Sequence, residues 1–585
     1  MKARAIAAAV GAGRQTAEDV TIEALARIEA YDAVQPQAWI SRFSRDALIA
    51  AARAVDARIA AGEVLPLAGV PFAVKDNIDV AGLDTTAACP EFAYRPERNA
   101  FVVQRLIDAG AICIGKTNLD QFATGLNGSR SPHGAPRCVF NLNYVSGGSS
   151  SGSSVAVGAG LVPFALGTDT AGSGRVPAAF NNLVGLKPSK GRWSSTGLLP
   201  ACRSLDCITV LAADVADARL VDDVAAGFDG EDVYSRALAN LPVDGRIGVP
   251  IASNRPWFGD VQAEVLYERA IERLASFGYR IVEIDIAPLL EAARLLYFGP
   301  WVAERTAAME DMLRDRPEAI DPAVREIVEA GLGMTAVEAF RGQYRLAGYA
   351  RAAEAIWHQV DALFVPTSPT IYRLREMLAN PIALNSHFGT YTNFVNLLDM
   401  AAIAVPAGFR LNGTGFGVSF FAPAGSDRAL LAMAEEWLSD NPYTPPPLDL
   451  AKDEKDYRMD RIRLAVVGAH LKDMPLHWQL TTREAEFIAA TETAPTYRLY
   501  AMADSAPPKP ALVHDASGGP IKVEIYEMDV AAFGSFVAEV PPPLAIGTVT
   551  LADGSQVKGF VAEPRAITDA EDITALGGWR AYVNR

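Results

Sequence analysis

The sequence predicts an α/β protein with a β-rich second domain, and three observations support this prediction. The chain has 585 residues, too many for one compact core, so two or more domains are expected. Over the first 440 residues, helical periodicity alternates with short apolar runs, which indicates a sheet covered by helices. After residue 460, short extended runs punctuated by Pro and Gly replace that alternation.

The first quarter of the chain shows the alternation most clearly. Apolar residues three and four positions apart predict helices within 17–62, and Thr16 begins a capping box for the first of them. A short buried strand is predicted at 69–74. An amphipathic helix at 101–109 and an extended run at 111–114 follow, so the order is strand, helix, strand.

The same order returns further along the chain. Residues 246–249 and 279–286 are predicted strands, with a helix at about 260–277 between them. Residues 362–367 form another predicted strand that ends in turn residues. The sheet is therefore expected to continue through the first 440 residues.

The amino-acid composition changes near residue 441, and this change predicts a domain boundary. The stretch 441–447 is rich in Pro, and a mostly charged run follows it up to residue 460. Such a stretch breaks helices and is typical of a connection between domains. We therefore expect domains at 1–440 and 461–585, joined by a linker at 441–460.

The composition is that of a globular enzyme with an acidic balance. There are 53 basic and 69 acidic residues, a formal net charge of −16, which argues against a nucleic-acid partner or an anionic membrane surface. No apolar run reaches the roughly 18 residues that a membrane span needs. The five cysteines are widely spread, without a CxxC pair or metal-ligand spacing, so we expect free thiols, no metal site and a cytoplasmic location.

Two Gly- and Ser-rich stretches, 145–154 and 167–177, are the most unusual segments. A flexible linker is the common interpretation, but the first stretch leads directly into the small-residue run 155–166, which predicts a tightly packed helix. A phosphate-binding loop would need the lysine of GxxxxGK[ST], and an α/β-hydrolase elbow would need Gly where Arg175 stands. Loops that offer backbone N–H groups to developing negative charge fit both stretches better.

Three motifs together resemble the amidase signature family. Residues 147–153, followed by 167–178, are similar to the family's signature sequence, and residues 185–189 fit the same sequence block. Residues 69–77 are similar to the family's lysine motif. The resemblance covers residues 65–210, and compatible sequence extends to about residue 440. It implies the amidase signature fold, a mixed central sheet covered by helices, and an enzyme that breaks amide C–N bonds without a cofactor.

The resemblance assigns the catalytic chemistry to Lys75, Ser149 and Ser173, which are 74 and 24 residues apart. Ser173 is implied to be the nucleophile, and a neutral Lys75 is implied to take its proton by way of Ser149. In the family the bridging serine sits in a cis peptide. No histidine of this region lies in a motif, so a serine–histidine pair is not expected.

The segment around the nucleophile is implied to bind the oxyanion of the tetrahedral intermediate. Asp169 and Arg175 flank this segment and are expected to pair with each other rather than to react. Ser150 and Ser151 are expected helpers that bond the lysine or the bridging serine. The expected oxyanion hole consists of the backbone N–H groups of Thr170, Ala171, Gly172 and Ser173.

Within the family, the chain most resembles the allophanate hydrolases. Residues 175–182 and 200–207 are similar to that subgroup, and so is the length of the C-terminal domain. The resemblance implies a small anionic amide, allophanate (urea-1-carboxylate), as the substrate, which is converted to ammonia and carbon dioxide in urea or s-triazine breakdown. It also implies that Tyr297 and Arg305 hold the substrate, since a guanidinium suits a carboxylate, and that Gly125 contacts it.

The C-terminal domain weakly resembles the γ-glutamylcyclotransferase-like fold through residues 463–470. In some allophanate hydrolases this domain is thought to decarboxylate the first product, N-carboxycarbamate. His470, with His477 seven residues on, is the candidate residue for that step. A surface or capping histidine is the alternative interpretation, and the domain would then stabilise an oligomer; we expect a homodimer.

Other functions remain open from the sequence. The amidase subunit of a tRNA-dependent amidotransferase shares the triad but acts on glutamine, and it should lack the β-rich tail. A malonamidase-like hydrolase of small amides shares the triad as well. A binding scaffold without catalysis is disfavoured because all three triad residues are present, and a membrane-bound lipid amidase because no anchor helix is predicted.

Overall fold

The computed structural model describes residues 2–440, 443–450, 461–483, 485–502 and 506–585. The chain divides into two compact units, residues 1–452 and 453–585. Much of the predicted linker, residues 441–442 and 451–460, lies outside the described residues. The five cysteines are free and buried.

Eleven strands of the first unit form one mixed sheet, which confirms the predicted α/β class. In chain order they are β1 Trp39–Arg42, β2 Pro71–Lys75, β3 Ile112–Thr117, β4 Phe164–Asp169, β5 Val184–Lys187, β6 Cys207–Ala212, β7 Arg246–Pro250, β8 Arg280–Ile284, β9 Ala362–Pro366, β10 Met400–Phe409 and β11 Gly415–Pro423. Across the sheet they follow the order β1-β3-β2-β4-β6-β5-β10-β11-β9-β7-β8. The sheet contains parallel pairs, such as β2 and β4, and antiparallel pairs, such as β4 and β6.

Helices connect these strands and cover the sheet. They are α1 Ala3–Gly11, α2 Ala17–Asp32, α3 Arg45–Ala60, α4 Phe101–Asp108, α5 Ser151–Gly158, α6 Val176–Phe180, α7 Val215–Ala225, α8 Val261–Ser276, α9 Ala287–Phe298, α10 Trp301–Ala308, α11 Glu310–Asp315, α12 Pro322–Glu329, α13 Ala336–Trp357, α14 Leu374–Ala379, α15 Ala383–Phe388, α16 Asn393–Leu397 and α17 Asp427–Trp437. The predicted capping box of α2 is present, with Thr16 accepting from the Asp19 N–H. Among the described residues, no helix combines the length and apolar character that crossing a bilayer requires.

The sheet lies between two large apolar cores. Phe72 and Val74 of β2 belong to one core, which α4, α7 and α8 also line, whereas Ala73 between them belongs to the other, lined by α2, α3 and α5. Successive side chains of a strand point to opposite faces, so this alternation places helices on both sides of the sheet.

The carboxyl ends of β2 and β4 meet at one edge of the sheet. The two strands run parallel, with Phe72 opposite Phe164 and Val74 opposite Leu166. Lys75 is the last residue of β2, and β4 ends at Asp169, shortly before Ser173. Adjacent parallel strands thus bring the lysine motif beside the nucleophile segment.

Two sequence predictions were wrong in this unit. The run 155–166 is not one helix: α5 ends at Gly158 and β4 begins at Phe164. Gly160, with φ +71°, and Pro163 end the helix, since a positive φ and a missing N–H are both incompatible with its continuation. Strand β1 lies within the stretch 17–62 that was predicted helical; its four residues are too few to show an alternating pattern.

The second unit is β-rich, as predicted. Its strands are β12 Arg461–Val466, β13 Glu486–Glu492, β14 Tyr497–Ala501, β15 Pro510–His514, β16 Lys522–Asp529, β17 Leu544–Thr550, β18 Gln556–Ala562 and β19 Glu571–Asp572. Five of them form a sheet in the order β13-β16-β12-β18-β17, and three form another in the order β15-β14-β19. The helices are α18 Trp478–Thr481, α19 Val530–Ala538 and α20 Trp579–Val583.

Candidate active site

Lys75 lies at the centre of the candidate site with its amine fully buried. The residue is 0% exposed, and its Nζ lies 2.7 Å from Ser149 Oγ and 2.7 Å from Thr168 Oγ1. Burial lowers the pKa of Lys75 from 10.5 to about 7, although nearby carboxylates oppose that fall. The amine is therefore neutral in a large fraction of molecules near pH 7, as a proton acceptor must be.

The carboxylates that surround Lys75 are held by other donors. Asp120 accepts hydrogen bonds from the backbone N–H groups of Asn127, Gly128 and Arg130 at 3.0 to 3.2 Å. Among the described residues no carboxylate forms an ion pair with Lys75, so the desolvation of its amine is only partly offset.

Thr168 was not singled out from the sequence, yet it is the second partner of the lysine amine. It lies in β4, two residues after Leu166, the partner of Val74 in β2. Ser150 and Ser151, the expected helpers, form hydrogen bonds with neither Lys75 nor Ser149. Ser150 Oγ instead bonds the backbone N–H and carbonyl of Thr168, both at 3.2 Å, and Ser151 Oγ bonds the Asn118 carbonyl. Ser150 therefore supports the lysine only through Thr168.

Ser149 follows a cis peptide bond from Gly148, as the family resemblance implies. The loop that contains it is tied to the segment 120–128, because the Gly148 N–H donates to the Leu126 carbonyl at 2.8 Å and the Asp120 N–H to the Ser149 carbonyl at 3.2 Å. A Cβ on Gly148 would lie 2.2 Å from Asp120 Oδ2, so this position requires glycine.

The Ser173 hydroxyl is not hydrogen-bonded to the bridging serine. Ser173 is 2% exposed, and its Oγ donates to the Gly125 carbonyl at 3.4 Å. No hydrogen bond joins its Oγ to Ser149 Oγ in this structure. A rotation about the Cα–Cβ bond of Ser173 would redirect the hydroxyl, and catalytic hydrogen bonds often form only once substrate is bound.

Asp169 and Arg175 pair with each other, as predicted. Arg175 Nε and Nη2 each lie 2.9 Å from an Asp169 carboxylate oxygen, and both side chains are fully buried. Burial would raise the pKa of Asp169, but the guanidinium and the N–H groups around it hold that pKa below its usual value. The pair fixes the loop that presents Ser173.

The predicted oxyanion hole needs one correction, at Gly172. Its N–H donates to Asp169 Oδ1 at 2.9 Å and is therefore engaged, because the carboxylate folds back over the turn that follows it. The N–H groups of Thr170, Ala171 and Ser173 donate to no other group within the described part of the chain. These three donors remain for an oxyanion.

Tyr297 and Arg305 lie together, with Tyr297 near the end of α9 and Arg305 on α10. The Arg305 guanidinium is centred 5.0 Å above the Tyr297 ring, its Nη2 lies 3.5 Å from Tyr297 Oη, and its Nη1 donates to Thr124 Oγ1 at 3.2 Å. Arg305 is 1% exposed and forms no ion pair with a described carboxylate, and its Nε lacks a partner there. A buried guanidinium of this kind favours an anionic ligand.

The guanidinium is linked to the nucleophile through a short segment of chain. Thr124 bonds Arg305, and the next residue, Gly125, accepts the Ser173 hydroxyl. A Cβ on Gly125 would lie 2.4 Å from Asp120 Oδ2, so only glycine fits beside that carboxylate. The structure therefore places Gly125 between the nucleophile and the candidate anion site.

His470 in the second unit is half-buried between aromatic rings. Its ring stacks on Phe560 at 5.0 Å and meets Phe536 edge-on at 5.2 Å, and Nε2 lies 2.7 Å from Gln479 Oε1. Burial lowers the pKa of His470, so its imidazole is neutral near pH 7. His477 bonds the Tyr526 hydroxyl at 3.1 Å instead and is not part of this arrangement.

Two known protein families match parts of this chain. Residues 19–431 match the family described as Amidase, and residues 462–584 match the family described as Allophanate hydrolase C-terminal domain. The two matches correspond to the α/β unit and to the β-rich unit.

Known relatives divide into two groups. Urea amidolyase of Saccharomyces cerevisiae is 44% identical over 569 residues, which are 93% of this chain but only 31% of that protein. A glutamyl-tRNA(Gln) amidotransferase subunit of Deinococcus deserti is 35% identical over 468 residues, covering 74% of this chain and 95% of that protein. The solved structure of Kluyveromyces lactis allophanate hydrolase matches with a TM-score of 0.70 at 42% identity, covering 98% of this chain and 97% of that one. The chain belongs to the amidase family, and it is an allophanate hydrolase-like amidase, a hydrolase of amide C–N bonds.

Proposed function

We propose that this chain hydrolyses allophanate, releasing ammonia from its terminal amide. One observation carries the proposal: the buried Arg305 guanidinium, which forms no ion pair with a carboxylate of the described residues, bonds Thr124, and the next residue, Gly125, contacts Ser173. A small amide that carries a carboxylate would supply the direct ion pair that the guanidinium lacks among the described residues. The likeness to Kluyveromyces lactis allophanate hydrolase over nearly the whole of both chains supports this choice of substrate.

The first chemical step is attack by Ser173 on the terminal carbonyl carbon. Neutral Lys75 takes the Ser149 proton across their 2.7 Å contact, while Ser149 takes the proton of Ser173. For this transfer the Ser173 hydroxyl turns from the Gly125 carbonyl towards Ser149, and a substrate N–H replaces it as the donor to that carbonyl. The N–H groups of Thr170, Ala171 and Ser173 stabilise the oxyanion.

The intermediate then collapses with cleavage of the C–N bond. The proton returns through Ser149 to the nitrogen of the leaving group, which departs as ammonia, and the remaining acyl group is esterified to Ser173. Water, activated by the same serine–lysine pair, hydrolyses the ester and releases N-carboxycarbamate. The sum is allophanate plus water giving N-carboxycarbamate plus ammonium, and Lys75 ends in its starting state.

Substrate choice follows from the anion site. Acetamide offers no carboxylate to Arg305, and the carboxylate of glutamine lies several bonds further from its amide. Purified protein should therefore release ammonia from allophanate and neither from glutamine nor from acetamide. Ammonia from glutamine alone would contradict the proposal and favour the function of an amidotransferase component, and acetamide turnover at the allophanate rate would favour a general small-amide hydrolase.

We propose further that the second unit decarboxylates N-carboxycarbamate, with His470 in that site. The neutral, stacked imidazole and the family match of residues 462–584 support this role. A His470→Ala variant should release the first ammonia at an unchanged rate while N-carboxycarbamate, followed by ¹³C NMR, accumulates. Equal decay of that product with wild type and variant would leave the second unit a structural role instead.

A cytoplasmic homodimer in urea or s-triazine breakdown completes the proposal. Helix α13 exposes Val337, Phe340 and Tyr344 along one stripe, with exposed fractions of 58%, 62% and 70%. Glu338 lies towards one end of the stripe and Arg345 towards the other, so an antiparallel pairing of two copies would join opposite charges. Light scattering should give a dimer mass that Phe340→Glu halves, and a monomeric wild type would contradict this assignment.

A further inference from the structure

The segment 200–207, which resembles the allophanate hydrolases, forms a loop between the nucleophile segment and α10. We call residues 201–206 the spacer loop. Two of its residues form hydrogen bonds outside the loop: Asp206 reaches the side chain of an oxyanion-hole residue, and Ser204 reaches the helix that carries Arg305. Neither contact takes part in the proton relay.

Asp206 holds the spacer loop against the nucleophile segment. One carboxylate oxygen accepts the Thr170 hydroxyl, and the other accepts the backbone N–H groups of Ala201 at 2.6 Å and Cys202 at 3.2 Å. Asp206 is 7% exposed, and burial raises its pKa to about 6. A buried carboxylate with three donors has one preferred position, so Thr170 and the loop keep a fixed separation.

Glu304 holds the loop at Ser204. Its two carboxylate oxygens accept the Ser204 N–H at 2.7 Å and the Ser204 hydroxyl at 2.8 Å. Nearby, Cys202 Sγ lies 3.6 Å from the Trp301 carbonyl at the start of α10. Because Glu304 directly precedes Arg305 on this helix, the contact sets where α10 presents the guanidinium.

We infer that the spacer loop fixes the distance from the oxyanion hole to Arg305 and thereby selects amides by the position of their carboxylate. Asp206 and Glu304 are positioning residues in this account. The class selected is a short amide or ureide whose carboxylate carbon is two bonds from the scissile carbonyl carbon, as in allophanate and malonamate. Succinamate, with one more methylene, places its carboxylate too far away. This inference rests on the proposed function.

Binding to a variant without turnover tests the inference independently of the reaction. In the Ser173→Ala background, calorimetry should find malonamate bound about tenfold more tightly than succinamate, the difference expected when one hydrogen bond to a charged group is lost. Adding Glu304→Ala should reduce that ratio to about threefold or less, because the guanidinium is no longer held at one distance. Glu304→Gln, which keeps one acceptor for Ser204, should restore most of the ratio.

The controls separate positioning from loss of structure. Glu310→Ala, at an exposed acid on the next helix, should leave the ratio unchanged, and circular dichroism should show each variant folded. An unchanged ratio in folded Glu304→Ala would overturn the inference, as would equal binding of the two amides by Ser173→Ala alone. If malonamate is preferred but wild type fails to hydrolyse allophanate, the proposed function fails while the role of the spacer loop stands.

Discussion

The Thr168 hydroxyl offers a direct way to change the proton affinity of Lys75 without touching the triad. It accepts a hydrogen bond from Nζ at 2.7 Å, and that bond stabilises the ammonium more than the neutral amine. A hydrogen bond to a charged group contributes about 1.5–3 kcal/mol, which equals roughly 1–2 pKa units. Thr168→Val removes the acceptor at similar volume, so the pKa of Lys75 should fall from about 7 by that amount.

The assay is the pH dependence of kcat/KM from initial rates of ammonia release between about pH 5 and 9. Because neutral Lys75 is the active form, kcat/KM should rise with pH through a single step. In wild type the midpoint should lie near pH 7, the pKa of Lys75. In Thr168→Val this midpoint should move to lower pH. The value of kcat/KM on the high-pH plateau should also fall, because only Ser149 then holds the amine.

Thr209 provides the matched control. It is a fully buried threonine on the neighbouring strand β6, and its hydroxyl has no hydrogen-bond partner among the described residues. Thr209→Val should leave the midpoint in place. An unmoved or higher midpoint in Thr168→Val, or an equal shift in both variants, would refute the assignment of the step to Lys75.

Three further outcomes are expected. Ser173→Ala should lose turnover on every amide while its thermal unfolding midpoint stays at the wild-type value, since the hydroxyl makes one long contact; a persisting rate would exclude it as nucleophile. Arg305→Lys should raise KM for allophanate about 10–100-fold, because an ammonium does not reproduce the guanidinium fork; an unchanged KM would contradict the role of Arg305 in binding the carboxylate. Arg175→Met should lower the free energy of unfolding by about 3–5 kcal/mol in urea denaturation, because Asp169 stays buried without its partner; an unchanged value would contradict the stabilising role of the pair.

The sequence located the site through its resemblance to the amidase signature family, and the structure places two of the three residues at or just after strand ends. Lys75 closes the apolar run of β2, and Ser173 follows β4 by a few residues. Two adjacent parallel strands place their carboxyl ends at one edge of a sheet, which explains why these residues lie close together. The sequence predicted their proximity only through the family resemblance, because β4 was not among the predicted strands. The pairing of Asp169 with Arg175 was predicted from their closeness in the sequence.

The hydrogen-bond partners of Lys75 and Arg305 could not be predicted, because they are distant from these two residues in the sequence. Thr168 lies 93 residues after Lys75, and Thr124 lies 181 residues before Arg305. Nothing in a single chain indicates which hydroxyl a buried cation will meet. The hydrogen bond from the Gly172 N–H to Asp169 was not predicted for another reason. It depends on how the Asp169 carboxylate folds back over the turn that follows it.

The order of the strands in the sheet could not be predicted from the sequence either. β6 lies between β4 and β5 in the sheet, and the antiparallel pair β10 and β11 separates β5 from β9. Apolar runs predict that strands exist, but their order depends on the packing of two cores on both faces. In the second unit the short extended runs predicted a β-rich domain but not the order of its strands.

The most direct measurement is peptide mass mapping of enzyme quenched during turnover of allophanate, with Ser173→Ala in parallel. The account predicts that wild type carries the acyl group on the peptide containing Ser173 while releasing ammonia, and that the variant does neither. An acyl group on a different residue, or ammonia released by the variant at the wild-type rate, would contradict it.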